Sequence, residues 1–400
     1  MTTNVLVLGG NFGGLTAAIS VKRMLGDEAE VTVVSKANGF LFNPSLIWVP
    51  FGKRSIRDLT FPLAPTFDRA GVHFVHAEAT RIDPVARRVE TTSGPRDYDH
   101  LVIATGYRND FSVAPGLGPG GNAETITTAS DAERAGDAWA RFVESPGPLV
   151  VAATQGAACF GAAYEFLFNA AHQIKRLGLR GAVPITYVTA EPFLGHFGIG
   201  GMRGGERMLS AFLGFQHIDA VPNVGIESVD AGEMTLSDGS RLPFGYAMVV
   251  PPFVGAEVVR ESGLGNSKGF IEVDDTYESV ANRNVWAVGI AAAVNAPWHT
   301  AYPVGIPKTG FPTETMAKVA ARNIVARARG GEATERQDFG EIPAVCIMDA
   351  GNNGVIILGD HLLPPRRAAA MIPGPQSHWA KLAFERYYLW KSRRGLVQFP

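Results

Sequence analysis

The sequence predicts an α/β protein with two Rossmann-like dinucleotide-binding domains and a C-terminal amphipathic helix. Three observations support this prediction. A strand, a glycine-rich turn and a helix open the chain at Asn4–Leu25, a second strand–turn–helix pattern begins at Leu149, and an aromatic, basic helical segment spans Gln376–Arg394. The expected domains are a first dinucleotide-binding domain at 1–110 and 283–335, a second at 111–282, and a C-terminal segment at 336–400.

The composition narrows the class of protein. The 400 residues carry a formal net charge of −2, with 18% charged and 46% hydrophobic residues, so a nucleic-acid partner is not expected. No uninterrupted apolar run reaches the length of a membrane span, and the N-terminus enters a strand at once, so we expect no secretory signal. The 2 cysteines, Cys159 and Cys346, are too few for a disulfide framework, and no metal site is expected.

The first unit has the pattern of a dinucleotide-binding βαβ motif. Its glycine turn lies between strands at Asn4–Leu8 and Glu30–Ser35, and the N-terminus of the helix at Leu15–Leu25 would face a pyrophosphate. Asn11 replaces the second glycine of the motif, so its side chain must point away from the phosphates. The second strand ends without an acidic residue for a ribose. The expected cofactor contacts are Gly9, Asn11, Phe12, Gly13, Gly14, Ser35 and Lys36.

Two later segments complete this domain in the manner of two-dinucleotide-domain flavoproteins. Tyr98–Gly106 (YDHLVIATG) and Asn284–Ile290 (NVWAVGI) are strands that end in glycine turns, which implies FAD as the cofactor. Lys308, ahead of a helix expected at Thr315–Arg329, is a candidate to contact the flavin pyrimidine ring, where a cation stabilises the reduced form. The residues expected to hold FAD in these segments are Thr105, Gly106, Gly289 and Ile290, the last in place of the usual aspartate.

The second unit begins like a nucleotide-binding turn but lacks the glycine fingerprint. The strand at Leu149–Ala152 runs into ATQGAAC, which contains a single glycine, Gly156, and then Cys159. No acidic residue ends the next strand, Ile185–Thr189, although Glu191 lies near. We therefore expect that this domain does not use NAD(P)H and that Cys159 makes it a thiol redox site.

Two further segments carry candidate residues that have more than one interpretation. Phe193–Arg207 is rich in glycine and is either a flexible surface loop or a lid that brings His196 to the site. Cys346 lies in a strand expected at Ile342–Asp349, where a cysteine is usually inert packing. As the only cysteine besides Cys159, it becomes a candidate redox partner.

The C-terminal segment has one broad apolar face when it is placed on a helix. Lys381 lies opposite this face, and Lys391 is among the basic residues that flank it and can snorkel. The pattern favours an interfacial membrane anchor, with a dimerisation or core helix as the alternative. Proline-rich stretches at 364–367 and 373–375 are expected to be linkers. The apolar face comprises Trp379, Leu382, Ala383, Phe384, Tyr387, Leu389 and Trp390.

The sequence resembles the sulfide:quinone oxidoreductase family over essentially the whole chain. The most specific stretches are ATQGAACFGAAYEF, EPFLGHFGI, PKTGFPTETM, PAVCIMDAG and HWAKLAFERYYLWK. The resemblance implies a disulfide-reductase-like fold in which Cys159 and Cys346 form a redox pair. This pair would oxidise sulfide to sulfane sulfur or polysulfide and pass two electrons to FAD and then to a membrane quinone. It also implies peripheral attachment at the cytoplasmic face of the membrane, and it leaves the oligomeric state open.

Single residues take candidate roles in this scheme. Glu165 is a candidate proton acceptor near Cys159, with a solvated helix residue as the alternative, and His196 is a candidate catalytic residue. Many family members have a third cysteine where this chain has Thr127, so FAD is expected to be bound non-covalently. The apolar side chains expected to contact the quinone are Phe311, Phe384 and Tyr387.

Three other functions remain open at this point. The flavin subunit of a sulfide dehydrogenase shares the two cysteines but donates electrons to a cytochrome and is normally exported. A type II NADH:quinone dehydrogenase shares the architecture and the anchor but needs an intact second glycine fingerprint. A flavoprotein scaffold or redox sensor, which reports thiol state to a membrane partner, would show no turnover with sulfide and quinone.

Overall fold

The computed structural model describes residues 2–308 and 310–399. The α-helices, α1 to α8 in chain order, are Phe12–Leu25, Ala64–Arg69, Ala129–Glu144, Phe160–Arg176, Gly205–Phe215, Glu257–Glu261, Phe311–Ala328 and Pro375–Arg393. The strands, β1 to β24 in chain order, are Thr3–Leu8, Ala29–Ser35, Gly39–Leu41, Thr60–Pro62, His73–His76, Ala79–Asp83, Arg88–Thr91, Arg96–Asp97, His100–Ile103, Arg108–Asn109, Leu149–Ala153, Ile185–Thr189, Ile218–Pro222, Ile226–Asp230, Glu233–Leu236, Arg241–Pro243, Tyr246–Val250, Phe253–Val254, Ile271–Glu272, Val285–Ala287, Ala292–Ala293, Ala344–Asp349, Gly354–Gly359 and Ala369–Pro373.

The first parallel sheet gathers strands from the early and late parts of the chain. Its order is β20–β9–β1–β2–β5, and Trp286 of β20 pairs in register with Val102 of β9. The apolar runs of β1 and β9 suit strands that are buried on both faces. Helix α1 packs on β1 and β2 and also against α7. The late strand–glycine segment therefore closes the same sheet that the N-terminal unit opens.

The second parallel sheet has the order β13–β12–β11–β17. All of β11 is buried, and α4 packs on β11 and β17. Helix α4 also contacts β22, so it is covered on two sides and buries most of its residues. This double burial explains why the helix is apolar over much of its circumference rather than along one stripe.

A three-stranded antiparallel sheet, with the order β22–β23–β24, follows α7, and α8 packs against all three strands. Val345 pairs with Leu358, and Ile356 pairs with Ile372. Because side chains alternate across a sheet, these residues share one side, while Ile357 points to the other side and is buried. Val345, Leu358 and Ile372 are exposed, and we call this side the outer sheet face.

Among the boundaries that differ from the sequence prediction, three have a clear local cause. Helix α7 begins at Phe311 rather than Thr315, because Pro312 is tolerated in the first turn of a helix. The glycine-rich loop ends at Gly204, since the following residues already belong to α5. The prediction of a linker at 373–375 was wrong at Pro373, which ends the edge strand β24, where a missing N–H is tolerated.

Candidate active site

The structure brings the two cysteines together from distant parts of the chain. Cys159 is the N-cap residue of α4, and Cys346 lies within β22, which packs against α4. Both are free thiols, and Cys159 is near enough to raise the pKa of Cys346. Cys159 is half-buried and Cys346 is exposed, so a small solute can reach the pair.

A buried ion pair lies beside both thiols. The Nζ atom of Lys381, on α8, is 2.8 Å from Oε1 and 3.0 Å from Oε2 of Glu165, on α4. Glu165 also accepts a hydrogen bond from the backbone N–H of Asp349 at 2.7 Å, and Lys381 donates to the backbone oxygen of Ile347 at 3.3 Å. The pair therefore joins α4, β22 and α8. Glu165 is not a solvated helix residue, which corrects that alternative.

The electrostatics of this cluster oppose free thiolates. Desolvation raises the pKa of Cys159 and of Cys346, and the nearby Glu165 adds to both increases, whereas Lys381 counteracts them. Burial also raises the pKa of Glu165, and Lys381 partly offsets this effect. Burial alone would lower the pKa of Lys381, but Glu165 beside it keeps that pKa above its ordinary value. Lys381 is therefore the cation available to a thiolate that forms here.

The glycine turn after β1 has the shape that a dinucleotide pyrophosphate requires. A Cβ atom on Gly14 would lie 1.8 Å from the carbonyl oxygen of Gly9, and one on Gly9 would lie 2.3 Å from the carbonyl oxygen of Ala104. Asn11 turns its side chain away from the turn, as expected, and donates to the carbonyl oxygen of Leu41 at 3.1 Å. The N-terminus of α1 is thereby left open to a phosphate.

The other predicted cofactor segments converge on the same edge of the sheet. A Cβ atom on Gly13 would lie 3.2 Å from Cγ2 of Thr313, and one on Gly289, where φ is +65°, would lie 2.8 Å from that same atom. Gly106 also has a positive φ, of +71°. The hydroxyl of Thr105 is buried without a hydrogen-bond partner among the described residues. These close approaches and the unpaired hydroxyl fit a bound FAD.

Lys308 occupies a buried position next to the late glycine turn. Its Nζ donates to the backbone oxygen of Ile290 at 3.2 Å and to that of Ala292, and it lies 4.6 Å from the ring centre of Phe270. Burial lowers its pKa to about 7. A lysine in this state gains most from an anionic partner, which is the role expected of it toward the reduced flavin.

Three remaining predicted cofactor residues occupy different environments. Ser35 is buried at the end of β2, whereas Lys36 is exposed and pairs with Glu78 at 2.8 Å. Phe12 packs against Phe40 and Tyr388, with ring centres 5.0 Å apart in each case. Phe12 thus links the N-terminus of α1 to α8.

The acidic residue that follows β12, Glu191, does not have the environment of a carboxylate that binds a ribose. Glu191 is fully buried, and its carboxylate accepts hydrogen bonds from Tyr164, Tyr187, Thr189 and the backbone N–H of Phe197. The carboxylate is thus engaged by four protein donors and shielded from solvent. Because it is buried among these donors, it is not presented to a ribose hydroxyl.

Thr127 lies in a polar cluster. Its hydroxyl donates to the side-chain oxygen of Asn109 at 2.8 Å, and its backbone oxygen accepts from the hydroxyl of Tyr107 at 2.6 Å. Asp131 completes the cluster through the Asn109 amide at 3.2 Å. The position at which the family resemblance implies a third cysteine is therefore occupied by a hydroxyl that is already hydrogen-bonded.

Helix α8 turns its polar side inward and its aromatic side outward. Ser377, Lys381 and Glu385 are buried, whereas Trp379 is 68% and Trp390 is 45% exposed. The helix packs along β22–β24, the sheet that carries the outer sheet face. Across residues 2–308 and 310–399, no helix combines the length and the apolar character needed to cross a bilayer.

The prediction that Lys391 snorkels was wrong. Lys391 is buried and donates to Oε2 of Glu314, in the first turn of α7, at 2.9 Å. Tyr388 donates to the other oxygen of the same carboxylate. The Glu314 carboxylate accounts for the difference, since a buried charge is retained where it has a partner. A helical projection of the tail cannot include a carboxylate that comes from another helix.

The three residues predicted to bind the quinone lie near the contact that Tyr388 and Lys391 of α8 make with Glu314 of α7. Phe384 is partly buried and packs against Phe42, with ring centres 6.0 Å apart. Tyr387 points outward and stacks on Trp390. Phe311 begins α7, the helix that Tyr388 and Lys391 reach from α8. The three residues are therefore grouped around one contact between helices.

The inward-facing residues of α8 were not predicted from the sequence as functional candidates. A signal was present, since Lys381, Glu385, Tyr388 and Ser392 follow one another at intervals of four, three and four residues and so form one stripe. On a helix with an outward apolar face, such a stripe must contact the protein and requires buried partners. Only the fold identifies those partners.

Comparison with known proteins agrees with this geometry. Residues 3–155 match the model of the pyridine nucleotide-disulphide oxidoreductase family. The sulfide-quinone reductase of Aquifex aeolicus is 33% identical over 99% of this chain and 93% of that protein. A solved structure of the sulfide:quinone oxidoreductase from Aquifex aeolicus superposes with a TM-score of 0.93, covering 98% of this chain and 92% of that chain.

A more distant relative shares the architecture. The type II NADH:quinone oxidoreductase of Staphylococcus aureus is 26% identical over 92% of each chain. A NAD-dependent persulfide reductase from A. fulgidus has the same fold, with a TM-score of 0.67 at 20% identity. The Aquifex aeolicus protein has the higher identity, and its match extends over nearly the whole chain. These two facts decide between the sulfide:quinone and the NADH:quinone oxidoreductases. The chain belongs to the sulfide:quinone oxidoreductase family.

Proposed function

We propose that this protein oxidises sulfide at a Cys159–Cys346 pair and passes the electrons through FAD to a membrane quinone. The observation that supports this proposal most directly is the convergence of the two cysteines, from α4 and β22, around the buried Glu165–Lys381 pair. A redox pair needs two thiols within reach of each other and of solvent. A purely structural role would not require a buried ion pair beside them.

In the proposed reaction, hydrosulfide attacks the Cys159–Cys346 disulfide. A new S–S bond forms on one cysteine as a persulfide, and the bond between the cysteines breaks to release the other as a thiolate. A second hydrosulfide removes the outer sulfur as hydrodisulfide, which leaves both cysteines reduced. Re-forming the disulfide releases two electrons and one proton, so two hydrosulfides yield one hydrodisulfide, one proton and two electrons.

FAD, when bound, accepts these two electrons and delivers them to the quinone. In the protein, Lys381 stabilises the thiolate that is released, because its ammonium group is the nearby cation. Glu165 is the candidate acceptor for the proton, since burial already raises the pKa of its carboxyl. The glycine turn, Thr105 and Lys308 would hold the cofactor non-covalently, and Thr127 offers no thiol for a covalent link.

The membrane contact is proposed to involve both α8 and the outer sheet face. Trp379, Tyr387 and Trp390 are exposed on the helix, and Val345 and Ile372 are exposed on the sheet. Several large apolar side chains exposed on two packed elements are a feature of interaction surfaces. Tryptophan and tyrosine beside arginine suit the interfacial region of a bilayer. Attachment at the cytoplasmic face stays a prediction from the sequence.

An anaerobic titration of the FAD-loaded protein tests the proposal. We expect sulfide to bleach the flavin absorbance, and a quinone added afterwards to restore it. NADH in a parallel titration should leave the flavin oxidised, because the Glu191 carboxylate is buried among protein donors and is not presented to a ribose. Bleaching by NADH and not by sulfide would instead support a type II NADH:quinone oxidoreductase, the function named for the Staphylococcus aureus relative.

A further inference from the structure

The segment that carries His196 has an unusual backbone. Gly195 has φ of +82°, and Phe197 has φ of +54°, a conformation that residues with a side chain rarely adopt. The carbonyl oxygen of His196 accepts hydrogen bonds from the backbone N–H groups of Ile199 and Gly201, each at 2.9 Å. A strained backbone of this kind persists only where neighbouring groups hold it in place.

Glu191 supplies the restraint. Its Oε1 accepts a hydrogen bond from the backbone N–H of Phe197 at 2.6 Å, and its Oε2 accepts one from the hydroxyl of Tyr164 at 2.9 Å. The same hydroxyl accepts a hydrogen bond from the backbone N–H of Gly195 at 3.0 Å. The N–H groups on either side of His196 are therefore held by one carboxylate and its tyrosine partner.

The carboxylate is itself fixed by three donors on one oxygen. One donor to Oε2 of Glu191 is the hydroxyl of Tyr164, from α4. The other two are the hydroxyls of Thr189, at 3.0 Å, and Tyr187, at 3.3 Å, which both come from β12. The backbone oxygen of Glu191 also accepts from the N–H of Asn223 at 2.8 Å. Glu191 thus cannot move without breaking several hydrogen bonds. A side chain that positions another group must be held rigidly in this way.

We propose that Glu191 is a positioning residue that fixes the backbone on both sides of His196. That this loop affects sulfide turnover rests on the proposed function. Tyr164 lies on α4, the helix that begins after Cys159, so the arrangement links the His196 loop to the helix whose N-cap is Cys159. In this protein the acidic residue after β12 organises the loop of His196.

The arrangement makes the loop sensitive to pH. Protonation would convert one oxygen of Glu191 from an acceptor to a donor and displace an existing donor. Burial raises the pKa of Glu191 to about 7, while the donors from Phe197, Tyr164, Thr189 and Tyr187 oppose the increase. The two tyrosines facing Glu191 have pKa values raised well above the ordinary range, so both remain neutral donors.

The test is hydrogen exchange of the FAD-loaded, full-length protein, measured on peptides that contain Gly195 and Phe197. In Glu191→Gln the amide NH₂ group must face either the Phe197 N–H or the hydroxyl donors. We expect exchange at these positions to become about tenfold faster, the change that follows from losing one charge-assisted hydrogen bond. Glu227→Gln, at an exposed glutamate, is the matched control and should leave exchange unchanged.

Two further readouts separate positioning from general destabilisation. In the wild type, protection of Phe197, corrected for intrinsic exchange, should decrease as the pH falls through about 7, and Glu191→Gln should lack this dependence. Tyr187→Phe removes one donor to the carboxylate and should move the decrease to higher pH. Turnover of Glu191→Gln with sulfide at pH 8 should fall about tenfold while FAD content is retained.

Unchanged exchange at Gly195 and Phe197 in folded Glu191→Gln would overturn the proposal, as would normal turnover. If Glu191→Gln does not fold, the Tyr187→Phe pH profile decides, and an unmoved profile refutes the role. These exchange measurements do not require turnover. A wild type whose flavin is not bleached by sulfide would refute the proposed function and would leave the backbone restraint to be judged by exchange alone.

Discussion

The ammonium group of Lys381 lies 2.8 Å from the carboxylate of Glu165, in a buried pair that connects the C-terminal helix to the helix of Cys159. The helix that presents tryptophans to its surroundings therefore also supplies the cation beside the thiols. The proposed membrane contact and the proposed chemistry at the cysteines therefore share one structural element.

Lys381→Met should destabilise the protein by about 3–5 kcal/mol, because it leaves Glu165 buried without a partner. Urea unfolding of the FAD-loaded protein measures the change. The thiolate would also lose its cation, so reduction of the flavin by sulfide should slow. The double variant Glu165→Gln/Lys381→Met should recover part of the stability.

Arg329→Met is the control for that experiment, since Arg329 pairs with Glu28 at 2.9 Å on the surface. Its unfolding midpoint should stay close to that of the wild type. Equal destabilisation by Lys381→Met and Arg329→Met would contradict the importance of the buried pair.

Cys159→Ser and Cys346→Ser should each abolish sulfide-dependent quinone reduction while FAD remains bound, because neither variant can form the disulfide that hydrosulfide attacks. A steady-state assay with sulfide and a soluble quinone, together with the flavin absorbance of the purified variants, checks both expectations. Near-normal turnover in either variant would remove that cysteine from the mechanism.

Lys308 should make the stability of the FAD-free protein depend on pH. Its folded pKa is about 7, against 10.5 for an unperturbed lysine. Between these values the unfolded chain holds a proton that the folded chain lacks, so stability should rise as the pH increases from 7 to about 10.

Lys308→Met should flatten that part of the profile, measured as the unfolding midpoint in urea across the same pH range. If the profiles of the wild type and Lys308→Met run parallel, Lys308 is not the origin of the pH dependence of stability. FAD binding should also weaken in Lys308→Met, and equilibrium dialysis gives that affinity.

The double variant Trp379→Glu/Trp390→Glu should lose binding to vesicles that contain anionic phospholipid, because it places two charges on the outward side of α8. Co-sedimentation measures the bound fraction. Phe215→Glu is the matched control, since Phe215 is 77% exposed on α5, away from the helix under test. If the double variant and the control bind the vesicles equally, the outward side of α8 is better explained as an interface with another protein chain.

Gly14→Ala should abolish FAD binding or folding, because the new methyl group would meet the carbonyl oxygen of Gly9 at 1.8 Å. The flavin-to-protein ratio after purification is the readout. Gly214→Ala, in helix α5 with open space around its Cβ position, should retain FAD and gain a little stability. A Gly14→Ala variant with normal flavin content would show that the turn accommodates a side chain.

Local patterns were sufficient for much of the fold. The strand at Tyr246–Val250 has the predicted bounds, and the glycine turns predicted after the strands at Asn4–Leu8 and Asn284–Ile290 follow β1 and β20. Such features depend on residues near one another in the chain, since a glycine turn or an apolar run of strand length is a local constraint. The start of α7 was misplaced because Pro312 was taken to precede the helix.

Local sequence patterns were enough to predict the two dinucleotide-binding units, the pair of candidate cysteines and the apolar face of the C-terminal helix. The buried partners of Lys381 and Lys391, and the restraint of the His196 loop by Glu191, became evident from the folded chain. Each of these depends on a partner distant in the chain: Glu165, Glu314 and Phe197 with Tyr164. A buried charge is stable only with such a partner, and folding, not spacing along the sequence, brings the two together.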